Sequence, residues 1–124
     1  MANSSQWNRD LDNAANKRFV ADFKAKYGRL PSLYASQGYD AARLIGSALK
    51  ATGGDVSKAD DFRAALEAAD FESVRGKFRF GPNHHPVQDI YVRQVVRDGD
   101  ILTNKIVGTA FTDHADAYAG DCKM

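Results

Sequence analysis

The stretch from Ser32 to Ile45 constrains the chain most, because it reads as an extended run leading directly into an amphipathic helix. Pro31 biases Leu30 away from helical geometry, and Gly38 permits an unusual backbone where the helix is expected to begin. From there Tyr39, Ala42, Ile45 and Leu49, with Ala41, Leu44 and Ala48 one turn offset, predict an apolar, core-facing surface. Arg43, Ser47 and Lys50 fall outside it. Side chains just ahead of such a helix, namely Tyr34, Ser36 and Gln37, are expected at a rim. Their phenol, hydroxyl and amide make them the best candidates for a ligand contact. For Tyr34 the alternative, packing beneath the helix, stays open.

The residues before Trp7 are polar and read as frayed. Asp10, Asn13 and Asn16 offer caps for a helix over roughly Ala14 to Lys26, with Phe19, Val20, Phe23 and Tyr27 on its buried side and Gly28 as a left-handed stop. Gly53-Gly54 closes the second helix. Val56 to Asp60 reads as the cap of a third, which buries Phe62, Leu66 and Ala69. Alternation then takes over. Lys77 to Phe80 predicts a short strand with both phenylalanines on one face, broken by Gly81-Pro82-Asn83. Runs from Ile90 to Arg97 and from Ile101 to Phe111 flank Asp98-Gly99-Asp100, which predicts a hairpin. The tail from Thr112 reads as a helical turn or a surface strap.

Several function classes find no support in this pattern. A net charge of +1, with Lys and Arg dispersed among acids, gives no footprint for nucleic acid. No nucleophile elbow or phosphate-binding glycine loop is present, so neither enzyme chemistry nor a cofactor is expected. His84-His85, His114 and Cys122 lack a recognised metal-ligand spacing, and no metal site is assigned to them. Cys122, the lone cysteine, leaves only an intermolecular disulfide open. Met1 to Gln6 has neither a basic nor an apolar signal region, and no later apolar run is long enough to span a bilayer. The chain is therefore read as carrying no export signal, and as cytoplasmic if made alone.

Taken in order, Asn16-Lys17-Arg18-Phe19, Phe23, Tyr27-Gly28, Pro31-Ser32-x-Tyr34, Gly38-Tyr39-Asp40-Ala41-Ala42 and Arg75-Gly76-Lys77-Phe78-Arg79-Phe80-Gly81 form a recognisable series. From about Trp7 to Met124 the chain resembles the C-terminal part of a Leu/Ile/Val-type periplasmic substrate-binding protein of an ABC importer. The resemblance implies an α/β fold, a partial lobe of a type I periplasmic-binding-protein fold with three helices and a few strands, including a β-hairpin. It implies one partial domain, with 7–88 as lobe-type helices and strand and 89–124 as return crossing, ribbon and tail. It implies that Tyr34, Ser36 and Gln37 line a cleft between lobes, and that Trp7, Asn8, Gln88 and Asp89 border it as hinge residues. His84 and His85 would border the cleft or the surface. The implied partners are an amino acid or a related aromatic or aliphatic acid and an ABC permease, both in a full periplasmic receptor. Without the upstream lobe, the helix faces would be left uncovered and the chain is expected to self-associate, either as an orphaned receptor segment or as a stand-alone interaction domain.

Overall fold

A computed structural model describes residues 1–121. Its elements are strand β1 (Ala2–Ser5), helices α1 (Ala14–Tyr27), α2 (Leu33–Ala51) and α3 (Ala59–Glu67), strands β2 (Arg79–Phe80), β3 (Pro86–Asp98) and β4 (Ile101–His114), and a closing 3-10 turn at Ala119–Asp121. The architecture is α/β, three helices with a four-stranded antiparallel sheet. The central strand β3 pairs with β4 along most of its length, with β1 across Tyr91–Gln94 and with β2 at Pro86 and Val87.

The hairpin forms where alternation placed it, with Asp98 opposite Ile101. Its two-residue loop is Gly99-Asp100, and Gly99 takes the positive φ of 60° required at the first loop position. Both strands outrun the expected limits. β3 begins at Pro86 and β4 continues to His114, the latter through register shifts opposite Ile90 and Val92. The expected strand over Lys77–Phe80 shrinks to two residues, although Phe78 still meets Phe71 and Phe80 edge-on, with ring centroids 5.4 and 5.1 Å apart.

Helix α1 follows its local signals. The Asn13 side chain accepts from the Asn16 amide at its start, and Gly28 ends it at φ 67° while its amide reaches Lys24 O. Tyr27, expected inside, is exposed: Phe19, two turns back, is buried in the core and Phe23, one turn back, packs against it, so the face leaves the core before Tyr27.

Helix α2 corrects the opening expectation. It begins at Leu33, with Ser32 as its cap: the Ser32 hydroxyl accepts from the Ala35 amide at 3.2 Å. Tyr34, Ser36 and Gln37 therefore lie in its first turns and not in an extended run. Pro31 restricts the residue before it and leaves Ser32 free to cap, while Gly38 is absorbed mid-helix at a propensity cost of about 1 kcal/mol. The buried face matches the one read from apolar spacing only in part: Ala48 is buried and Tyr39 packs on the core as expected. Ser36, Asp40 and Ala48 are inside, whereas Ile45 and Leu49 are 48% and 37% exposed. Helix α3 starts without a side-chain cap, since Ser57 instead donates its hydroxyl to Asp55. Ala69 is buried as expected, but beyond the helix and at a positive φ of 48°.

The N-terminus is not frayed. Ala2–Ser5 forms an outer strand whose backbone ladder needs no apolar alternation, and Asn3 adds side-chain bonds to Asn104 and Arg93 at 2.9 and 2.8 Å. Trp7 then enters the core with Leu11, Phe19 and Val74, against which Phe23, Leu33, Tyr39, Tyr91 and Ile106 pack. Asn16, fully buried, accepts from Trp7 Nε1 at 2.7 Å and donates to the carbonyls of Arg9 and Leu11 at 3.1 Å. A buried amide would be costly unpaired; here it fastens the incoming chain to α1.

A second polar fastener joins the helices to the sheet. The Asp40 carboxylate, 3% exposed, accepts from the Ser73 hydroxyl at 2.6 Å and the Val74 amide at 3.0 Å, with Arg75 Nε 3.4 Å away. Arg75 continues to Gln88 at the start of β3, at 2.7 Å. Its burial lowers the guanidinium pKa, and the Asp40 charge works in the opposite direction.

Candidate ligand groove

The start of α2 stands over a groove of ≈ 370 Å³. Tyr34 and Leu33 form its helical side, Trp7, Asn8 and Arg9 its floor, and Arg93, Thr103 and Asn104 of the ribbon the opposite wall. Tyr34 is 79% exposed, so its phenol is available to the groove and does not pack beneath the helix. Ser32 satisfies the Ala35 amide through its hydroxyl and the Ser36 amide through its carbonyl, which leaves the first-turn amides of Leu33 and Tyr34 as donors. A helix start of this kind favours negative charge.

Two guanidiniums add to that preference. Arg93 donates to Trp7 O at 3.1 Å and to Asn3, and partial burial lowers its pKa while nearby Asp10 opposes the shift; arginine remains charged throughout. Arg9 donates to Thr103 Oγ1 at 3.1 Å and pairs with Asp98 at 2.6 Å. Asn8 is buried, with its amide shared between Asn104 O, at 3.0 Å, and Asp10. The groove thus combines an aromatic ring, helix-start amides and two guanidiniums, Arg9 already paired with Asp98 and Arg93 with Asp10 nearby.

The residues singled out in the sequence divide here. Tyr34, Trp7 and Asn8 meet in one groove. Gln37 is exposed one turn further along α2 and outside the groove lining. Ser36 has no exposed surface, and its hydroxyl donates to Leu33 O at 2.6 Å. Gln88 and Asp89 lie elsewhere on β3, Gln88 accepting from Arg75 and Asp89 from the Asp113 amide at 2.9 Å. Arg9, Arg93 and Thr103 were not singled out. The available signal was Arg93, a charge sharing the alternating face of Tyr91 and Val95.

The histidines are dispersed: His84 approaches Glu67 at 3.4 Å and His85 approaches Asp116 at 3.3 Å. Among the described residues no three His, Cys, Asp or Glu side chains gather as metal ligands. Cys122 lies outside the described residues.

A family model described as periplasmic binding protein matches residues 1–100. The chain belongs to the periplasmic binding protein family. Among solved structures, this binding-protein chain is similar to a solute-binding protein of an ABC transporter from R. palustris in complex with benzoate, at 39% identity and TM-score 0.89, over 100% of this chain and 33% of that one. It is also similar to one from Rhodopseudomonas palustris BisB5 in complex with 3,4-dihydroxybenzoic acid, at 32% identity and TM-score 0.82, over 98% and 32%. A leucine-binding protein from Thermotoga maritima shares the fold, at 19% identity and TM-score 0.70, over 88% and 30%. No curated protein matches the chain. The chain therefore spans about a third of the length of these solved solute-binding structures. Among the described residues no helix is long and apolar enough to cross a membrane.

Proposed function

We propose that this chain supplies one wall of the ligand cleft of a periplasmic ABC-importer receptor for an aromatic carboxylate, within the broader class of amino acids and related acids. The exposed Tyr34, held on the first turn of α2 above a groove shared with Trp7, Asn8 and Arg93, carries the reading. The ring suits stacking against an aromatic face, and the helix-start amides and guanidiniums suit a carboxylate. Support comes also from relatives crystallised with benzoate and 3,4-dihydroxybenzoate. Gln37 would sit at the rim, while buried Ser36 would act only by holding the helix start. In a full receptor, residues 7–88 would belong to a lobe and 89–124 to the return crossing. Trp7, Asn8, Gln88 and Asp89 would border the hinge, and an ABC permease would receive the ligand. Replacing the corresponding third of the R. palustris benzoate-binding protein with this chain tests the proposal: the chimera should bind benzoate, and Tyr34→Ala in it should weaken binding at least about tenfold, the equivalent of ~1.4 kcal/mol. Unchanged affinity in the Tyr34→Ala chimera would refute Tyr34 as a contact.

A second reading concerns the chain on its own. Tyr27, Ile45, Leu49 and Leu102 stand in solvent, which favours self-association as the means of covering them.

A further inference from the structure

An aromatic groove of ≈ 340 Å³ runs between α1 and α2, away from Tyr34 and the ribbon. Phe19, Phe23 and Tyr27 form a ladder along α1, with successive ring centroids 5.8 and 4.6 Å apart, and Tyr39 of α2 closes it at 4.7 Å from Phe19. The lower end of the ladder is sealed in the core, but Tyr27 at its upper end is 55% exposed. Lys26 lies over the Tyr27 ring and Arg29 over Phe23, with the cations 5.6 and 5.2 Å from the centroids.

The rim of this groove carries one acid and one base, Asp22 and Lys26, both exposed. At a spacing of i, i+4 such residues ordinarily pair along the helix. Among the described residues, the ion pairs involve neither of them. Lys26 instead lies over Tyr27, and the Asp22 carboxylate is left facing solvent.

We propose that the α1–α2 groove is the seat of a second copy of this chain, paired about a two-fold axis that crosses α1 at the level of Lys24 but on the Phe23–Tyr27 side of the helix. An isologous interface requires that whatever residue i meets on the partner, its counterpart meets in return. Antiparallel apposition of α1 with its copy about that axis brings Asp22 opposite the partner's Lys26 and Lys26 opposite the partner's Asp22, so a single acid and base on one rim become two equivalent cross-pairs. Alongside them, Phe23 of each copy lies against the partner's Tyr27. Charge complementarity of this kind selects the partner and fixes the register, while aromatic burial supplies the association. The proposal rests on the self-association reading above and assigns it a face.

Sedimentation analysis of the full chain tests it with reciprocal charge reversals. Wild type should dimerise. Asp22→Lys and Lys26→Asp, each folded by circular dichroism, should each weaken dimerisation about tenfold or more, since both cross-pairs become like-charge contacts. An equimolar mixture of the two should form a heterodimer close to wild-type affinity, an outcome that a merely structural role for either residue would not produce. Should a reversal fail to fold, Asp22→Asn and Lys26→Gln serve in its place, each expected to weaken the dimer on its own, with one of the two cross-pairs regained in the mixed dimer. A wild-type dimer indifferent to these changes, or single reversals not rescued by mixing, would overturn the assigned face and leave self-association standing. A wild-type monomer would remove both.

Discussion

The two faces of α2 divide its apolar residues in an unusual way. Its inner face packs Leu33 and Tyr39 on the core but fully buries only the small or polar Ser36, Asp40 and Ala48, while its outer face leaves Ala41, Ile45 and Leu49 in solvent. The inner face is tenable because its polar groups are paired: Ser36 with Leu33 O, and Asp40 with Ser73, Val74 and Arg75. Burial of an unpaired carboxylate would be prohibitive, but two hydrogen bonds and a neighbouring guanidinium offset its lost hydration. A helix patterned on both sides suits burial on both sides.

The contrast is broken most severely at Asp40. Asp40→Ala leaves the Ser73 hydroxyl and Val74 amide without their acceptor and Arg75 buried beside no countercharge. The expected cost is about 3 to 5 kcal/mol, a large part of a domain's stability, read as a fall in the urea midpoint. A loss under about 1 kcal/mol would show that the α2 inner face is not held by this carboxylate. Gly28→Val comes next. At φ 67° a β-branched residue is strained, and the expected loss is about 1 to 2 kcal/mol by thermal melting, although open space surrounds the position. A parent-like melting temperature would mean that α1 can end in another way. The outer face should be nearly silent in the monomer: Ile45→Ser is expected to change stability by no more than about 0.5 kcal/mol at high dilution. A larger loss would show that Ile45 is covered in solution.

The same contrast accounts for what could be read from the residues. Helix α1 was legible end to end because its signals are local, an Asn13 cap, an aromatic face at one-turn spacing and a left-handed Gly28. The ribbon was legible because alternation on both sides of Asp98-Gly99 allows little else. Strand β1 was not, since a polar edge segment is held by backbone ladder bonds that carry no side-chain pattern. The inside of α2 was only partly legible because apolar spacing identifies a face without saying which neighbour covers it. Asp40 is defined by Ser73 and Val74, more than thirty residues away in sequence, and no local signal announces such a partner. Of the candidate site, Tyr34, Trp7 and Asn8 were legible, whereas Arg9 and Arg93 join it only through the crossing of the chain over the ribbon.

Calorimetric titration of the 124-residue chain with benzoate, 4-hydroxybenzoate, leucine and phenylalanine tests most directly whether its groove is one wall of a cleft. A ligand held from one side stays wet, and contacts worth about 4 kcal/mol missing from the other side turn a micromolar site into a roughly millimolar one. The expected result is therefore no heat above dilution at ordinary concentrations. A clear micromolar isotherm from the chain alone would contradict the one-wall reading and show a complete pocket within this chain or between its copies.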